Sequence, residues 1–113
     1  MKPRGYVPDR GDVVWINFSP TEGHEQAGQR PALVLSPSSY NARSGLMLCC
    51  PITSKVKPYP FVVPIFASPA VAGVALADQL RTLDWRARKA KKQGRVSEEV
   101  LAEVLGKASA LLD

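Results

Sequence analysis

Glu25 and Arg30 put a carboxylate and a guanidinium on one short segment, Gly23–Ser36 (GHEQAGQRPALVLS). A carboxylate with a pKa near about 4.3 can accept a proton. A guanidinium is a planar fork that matches two phosphate oxygens. Together they suit a phosphodiester substrate. His24 is a second candidate base near neutral pH, and Gln26 is a candidate substrate contact. The bland alternative for Glu25 and Arg30 is a solvated ion pair of little energetic weight. Thr53 follows the apolar CCPI run and precedes Lys55 and Lys57, so a hydroxyl and two ammonium groups outline the rim of an anion site. Asp78 and Gln79 close the apolar run GVALA. Polar groups there either bond to backbone or face a groove. The Gln79 amide, both donor and acceptor, can read a base edge.

Rigid elements must hold these groups. Gly23 and Gly28 loosen the backbone around Glu25 and Gln26, and Pro31 fixes the exit into the apolar strand Ala32–Ser36. Asp12–Phe18 is rich in β-branched and aromatic residues and alternates Val14, Ile16 and Phe18 against Val13, Trp15 and Asn17. Between those two strands, Pro20 to Arg30 is expected to be a loop. Turn formers fill Pro37 to Gly45, with one helical turn around Ser39–Ala42. Further strands are expected over Leu46–Ile52, Phe61–Ile65, Val74–Ala77 and Gln79–Leu83, with Pro64 marking an edge or a bulge. Ser97 can cap a helix whose first turn carries Glu98 and Glu99. Its apolar stripe is Val100, Leu101, Val104, Leu105, Ala108, Leu111 and Leu112. Six short strands and one amphipathic helix predict a mainly β, strongly bent barrel capped by that helix.

The chain has 113 residues, 45% of them hydrophobic, which fits one domain (residues 1–113) with one compact core and argues against disorder. No signal peptide and no membrane span is visible. The only two cysteines, Cys49 and Cys50, are adjacent, so a mutual disulfide is not expected, and there is no zinc-type spacing. A cytoplasmic protein with reduced thiols is the expectation, with no metal and no cofactor. Lys and Arg number 15 against 10 Asp and Glu, a net charge of +5. Six of those cations, Arg86, Arg88, Lys89, Lys91, Lys92 and Arg95, crowd into one acid-free stretch. That stretch is either a solvated loop or a surface for a polyanion. Trp15 and Trp85 read as packing residues. Phe18, Tyr40 and Tyr59 border loops and are better candidates for stacking on bases.

The segments YVPDRGDVVWINFSPTEGHEQAGQRPALVLSPSSYN, CCPITSKVKPYPF and GVALADQLRTLDWRAR, followed by the C-terminal helix, resemble the MazF/PemK family of bacterial toxin endoribonucleases in order and spacing. The resemblance covers nearly the whole chain. It implies an SH3-like barrel of the CcdB/MazF type, commonly a homodimer. The implied reaction is metal-independent cleavage of single-stranded RNA: the 2′-hydroxyl attacks its own phosphodiester and leaves a 2′,3′-cyclic phosphate and a 5′-hydroxyl. An acidic antitoxin of the MazE type is the implied protein partner. Arg30 and Thr53 match the family's catalytic pair and Glu25 its loop glutamate. Gln79 and Asn41 match substrate-positioning residues, and Gln26, Asn17, Phe18, His24, Lys57 and Arg86 complete the expected substrate contacts. Asn17 and His24 stand where a well-known relative has aspartate and serine, so they are expected to alter sequence preference. One rival is a gyrase poison on the same barrel, which depends on a C-terminal tryptophan; this chain ends Ala110–Asp113 without one. The other is a non-catalytic module that binds RNA or an antitoxin.

Overall fold

The computed structural model describes residues 5–17, 29–55, 58–69 and 71–113. The described residues form seven strands and two helices: β1 (Asp12–Asn17), β2 (Gln29–Val34), α1 (Ser38–Ser44), β3 (Leu46–Thr53), β4 (Val62–Ser68), β5 (Val71–Leu76), β6 (Arg81–Asp84), β7 (Lys91–Arg95) and α2 (Glu98–Ala110). All pairings are antiparallel, in the order β4-β5-β3-β2-β1-β7, with β6 attached to β3.

β3 organises the sheet. Its first part lies between β2 and β6, and its end, Ile52 and Thr53, pairs with Ala75 and Val74 of β5. That change of partner bends the sheet. The bend continues until the outer strands β4 and β7 meet. A Cβ on Gly94 would stand 2.6 Å from the carbonyl oxygen of Ala67, so only glycine permits the approach. The result is mainly β and curled, as the strand pattern predicts.

Side chains alternate along each strand and so build two apolar cores. Val13, Leu33, Cys50, Ile52, Val63, Ala75 and Val104 fill the side beneath α2. Val14, Ile16, Ala32, Val34, Met47, Cys49, Leu83 and Trp85 fill the other, with Val7 and Ala90 against its margin. Each large side chain buried in this way contributes about 1.5–3 kcal/mol. α2 begins as expected, with Ser97 Oγ accepting the Val100 N–H at 3.2 Å. No helix among the described residues is long and apolar enough to cross a membrane.

Four expectations need correcting. The stretch Lys91–Arg95 is a strand, although it lacks apolar alternation; it adds to the edge of β1 through a register shift between Val13 and Val14. α1 spans seven residues, longer than the single turn expected. The strand expected to start at Gln79 starts at Arg81, so Gln79 lies with Asp78 in the connection between β5 and β6; of the two placements the sequence left open for them, between strands or inside one, this is the first. The stripe of α2 ends at Ala108: Leu111 and Leu112 follow the helix and are exposed. The strand bounds also shift, β2 starting at Gln29 and β5 at Val71, while Pro64 does lie on an edge strand, β4.

Candidate active site

Arg30 and Thr53 are far apart in sequence, but the strands that carry them, β2 and β3, are neighbours in the sheet. β2 and β3 pair Val34 with Cys49, Leu33 with Cys50 and Ala32 with Pro51. Continued two residues past its last pair, that register would set Arg30 level with Thr53. Both then belong, by alternation, to the face that carries Ala32, Val34, Met47 and Cys49. β1 supports Arg30 directly by pairing with it through Ile16. The ladder between β2 and β3 ends at Pro51, which has no N–H to donate, and β3 then turns toward β5. A guanidinium and a hydroxyl thus border the place where two strands part.

Local contacts orient Thr53. Its Oγ1 accepts the backbone N–H of Lys55 at 3.2 Å, which leaves the hydroxyl proton to be donated outward. β5 passes very close behind it. A Cβ on Gly73 would stand 2.3 Å from the Thr53 carbonyl oxygen, so any other residue there would push the end of β3 out of place. Arg30 is exposed, and among the described residues no carboxylate forms an ion pair with it.

Two more guanidinium groups border the same face. Arg81 pairs with Cys49 across β6 and β3. Arg88 Nη1 donates to the carbonyl of Asn17 at 2.9 Å, and its own carbonyl accepts the Asn17 N–H at 3.0 Å. The turn after Trp85 therefore clamps the end of β1, beside Arg30. Burial lifts the Cys49 thiol to about 11, and Arg81 and Arg88 oppose that rise. In the sequence Arg88 is only one cation of the basic run, and Arg81 carries no expected role. The signal for Arg81 was present: it is two residues beyond Gln79 and alternates with the buried Leu83.

The other expected residues fall into distinct groups. Gln79 is exposed in the β5–β6 connection, next to Asp78, whose carboxylate accepts the Tyr59 hydroxyl at 3.0 Å. That bond ties the segment after Thr53 to the connection carrying Gln79; desolvation first, and then the bond and charge of Asp78, raise the Tyr59 pKa. Arg86 is exposed and stacks over the Trp85 ring, 4.7 Å from its centroid. Asn17 ends β1, half-buried. Asn41 departs from its expected role as a substrate contact. It is 0% exposed, its amide donates to the carbonyls of Pro8 and Ser36, and its Oδ1 accepts the Ser36 hydroxyl. Its backbone carbonyl accepts the Trp85 indole N–H at 2.9 Å. Those bonds join the N-terminal stretch, α1 and Trp85, and no polar atom of the side chain is left for a ligand. Glu25, Gln26, His24, Phe18 and Lys57 lie outside the described residues.

Residues 9–112 match the family described as PemK-like, MazF-like toxin of type II toxin-antitoxin system. The chain is 50% identical over 107 residues to the endoribonuclease toxin MazF of Escherichia coli (strain K12), covering 95% of this chain and 96% of that relative. Its fold superposes on the crystal structure of MazF from Deinococcus radiodurans with a TM-score of 0.84 at 56% identity, over 96% of this chain and 98% of that one. The toxin in a MazE–MazF complex from the same organism gives a TM-score of 0.84 at 51% identity, over 96% and 97% of the two chains.

Proposed function

The chain belongs to the PemK-like, MazF-like toxin family of type II toxin-antitoxin systems, and from that premise we propose that it is an endoribonuclease that cleaves single-stranded RNA without a metal. The observation that supports the proposal is the β2–β3 register, which pairs Ala32 with Pro51; carried two residues further, to where β3 turns toward β5, it would bring Arg30 and Thr53 to one face. Cleavage by an internal 2′-hydroxyl needs three services: removal of the hydroxyl proton, stabilisation of charge on the phosphate oxygens, and protonation of the departing 5′-oxygen. The Arg30 fork spans two phosphate oxygens and stays charged at any physiological pH. Thr53, its oxygen held by the Lys55 N–H, donates to the same group. A guanidinium that never gives up its proton is a poor base, so Glu25 takes the 2′-hydroxyl proton; Arg30 stabilises the charge on the leaving oxygen by hydrogen bonding, and solvent water supplies that oxygen's proton.

Unpaired bases are read by stacking and by base-edge contacts, with Gln79 as the described candidate. The protein acts as a cytoplasmic homodimer, and an acidic antitoxin of the MazE type covers the RNA surface. A MazE–MazF complex of Deinococcus radiodurans, whose toxin shares this fold, supports the choice of partner.

The test is incubation of the purified chain with labelled RNA oligonucleotides in excess EDTA. Products ending in 2′,3′-cyclic phosphate and 5′-hydroxyl are expected. Cleavage that stops on chelation and returns with magnesium would remove the metal-independent mechanism. Binding without cleavage would leave a non-catalytic module in its place.

A further inference from the structure

We propose that Arg81 grips a second backbone phosphate of the RNA, beyond the one being cleaved, and so extends the site along the face of the sheet that carries Arg30 and Thr53. This rests on the endoribonuclease reading above.

Register supplies the geometry. Arg81 stands across from Cys49. Thr53 lies four residues farther along the same strand, β3, and so shares the face of Cys49. Four residues span about 13 Å along a strand, and β6 and β3 lie about 4.8 Å apart. A chain that is gripped at Arg30 and Thr53 and runs along this face toward β6 meets Arg81 at a neighbouring linkage. Gln79 precedes Arg81 by two residues, in the connection that Tyr59 fastens through Asp78. A base read there would bring its own backbone past the Arg81 guanidinium.

Chemistry favours a phosphate. Arg81 is exposed, sits at the start of a short strand attached only to β3, and joins Arg88 in acting on the Cys49 environment as a cation. The β6 side chain facing the same way, Leu83, is buried core. Arg81 is therefore the one β6 side chain on that face that reaches solvent.

The test is cleavage by the full-length protein of an oligonucleotide series in which one linkage at a time, never the scissile one, is a neutral methylphosphonate. Wild type should lose about tenfold in kcat/KM at one flanking linkage, the scale of a single phosphate contact. Arg81→Gln should show a similar loss on unmodified RNA, chiefly in KM, and no further loss at that linkage, because the two changes remove the same interaction. Its slope of log affinity against log salt should flatten by about 0.7. Arg81→Lys should recover part of the loss, since charge remains and the fork does not. Arg81→Gln with wild-type kinetics, or with losses that add at every linkage, would overturn the assignment while leaving the nuclease intact. So would a variant that cleaves normally but binds the acidic antitoxin less well. Wild-type protein that cleaves none of the series, nor any other RNA, would overturn both readings.

Discussion

Cys49 and Cys50 are neighbours in the chain and look out on opposite sides of the sheet. Cys50 lies in the core beneath α2, and burial, then Cys49 and Asp78, lift its thiol to about 12. Cys49 lies in the other core; burial lifts it to about 11, but its remaining influences, Arg81 and Arg88, pull downward. Desolvation dominates at both, and the neighbours differ in sign. One side of the sheet is apolar and closed over by a helix. The other is apolar at its centre and rimmed by fixed cations. That asymmetry divides labour: substitutions beneath α2 should change stability, and substitutions on the opposite rim should change chemistry.

Arg30→Ala tests the division most strongly. Loss of a preorganised donor at the reacting phosphate should lower the cleavage rate by about 10²–10³. Arg30 is exposed, so unfolding free energy should stay within about 0.5 kcal/mol of wild type. Single-turnover cleavage and urea denaturation on the same preparation give both values. A folded variant with undiminished cleavage would remove Arg30 from the chemistry.

Asn41→Ala should do the reverse, although Asn41 sits beside the second core, on the cation-rimmed side. Truncation strands the carbonyls of Pro8 and Ser36 and deprives the Ser36 hydroxyl of its acceptor. Leaving buried groups unpaired costs about 1–3 kcal/mol. Thermal melting should show that loss, while KM per folded molecule at low temperature stays unchanged. A raised KM in a variant that melts normally would restore the substrate role its sequence position suggested.

The strands around the site were readable because β-branched and apolar residues mark them: Asp12–Asn17, Leu46–Thr53 and the apolar half of β2 carry their own signal. β7 was not, because KKQGR has no hydrophobic alternation; it is a strand because β1 offers an edge and Gly94 lets β4 close against it. The same blindness applies to Lys92 and Arg95. They belong to the basic run, yet both pair with Asp12, at 3.6 and 2.7 Å, and Asp12 is 1% exposed and also accepts the Tyr6 hydroxyl. Composition reports a charge, whereas burial of its partner decides whether that charge is available. Arg30 and Thr53 were legible as residue types, but that their strands lie side by side depends on the pairing of β2 with β3, which no local pattern encodes.

The two thiols give a smaller effect, in pH. A pKa raised by folding stabilises the protein below the unfolded value and loses that contribution as pH rises through the folded value. Stability should therefore decline from pH 9.0, the ordinary thiol value, toward about 12. Replacing both cysteines by alanine should flatten this alkaline limb relative to wild type in denaturant titrations. An unchanged limb would mean that the tyrosines and lysines account for all of it.

The smallest effect separates the cations of the basic run. Lys91 is exposed on the edge strand β7, and no ion pair to a described acid involves it. A lysine of that kind contributes a delocalised attraction for phosphates. Lys91→Gln should weaken RNA binding a few-fold at low salt, equally for all sequences, and reduce the salt slope by about 0.7 without moving the melting temperature. Arg95→Gln should instead lower the melting temperature, because Asp12 loses its closest cation in a buried position. It should scarcely change the salt slope, since a guanidinium already engaged by Asp12 has little left to offer RNA. If the two variants gave the same salt slope and the same melting temperature, the basic run would act as one undivided surface, and the separation of structural from substrate-facing charge would fail on β7.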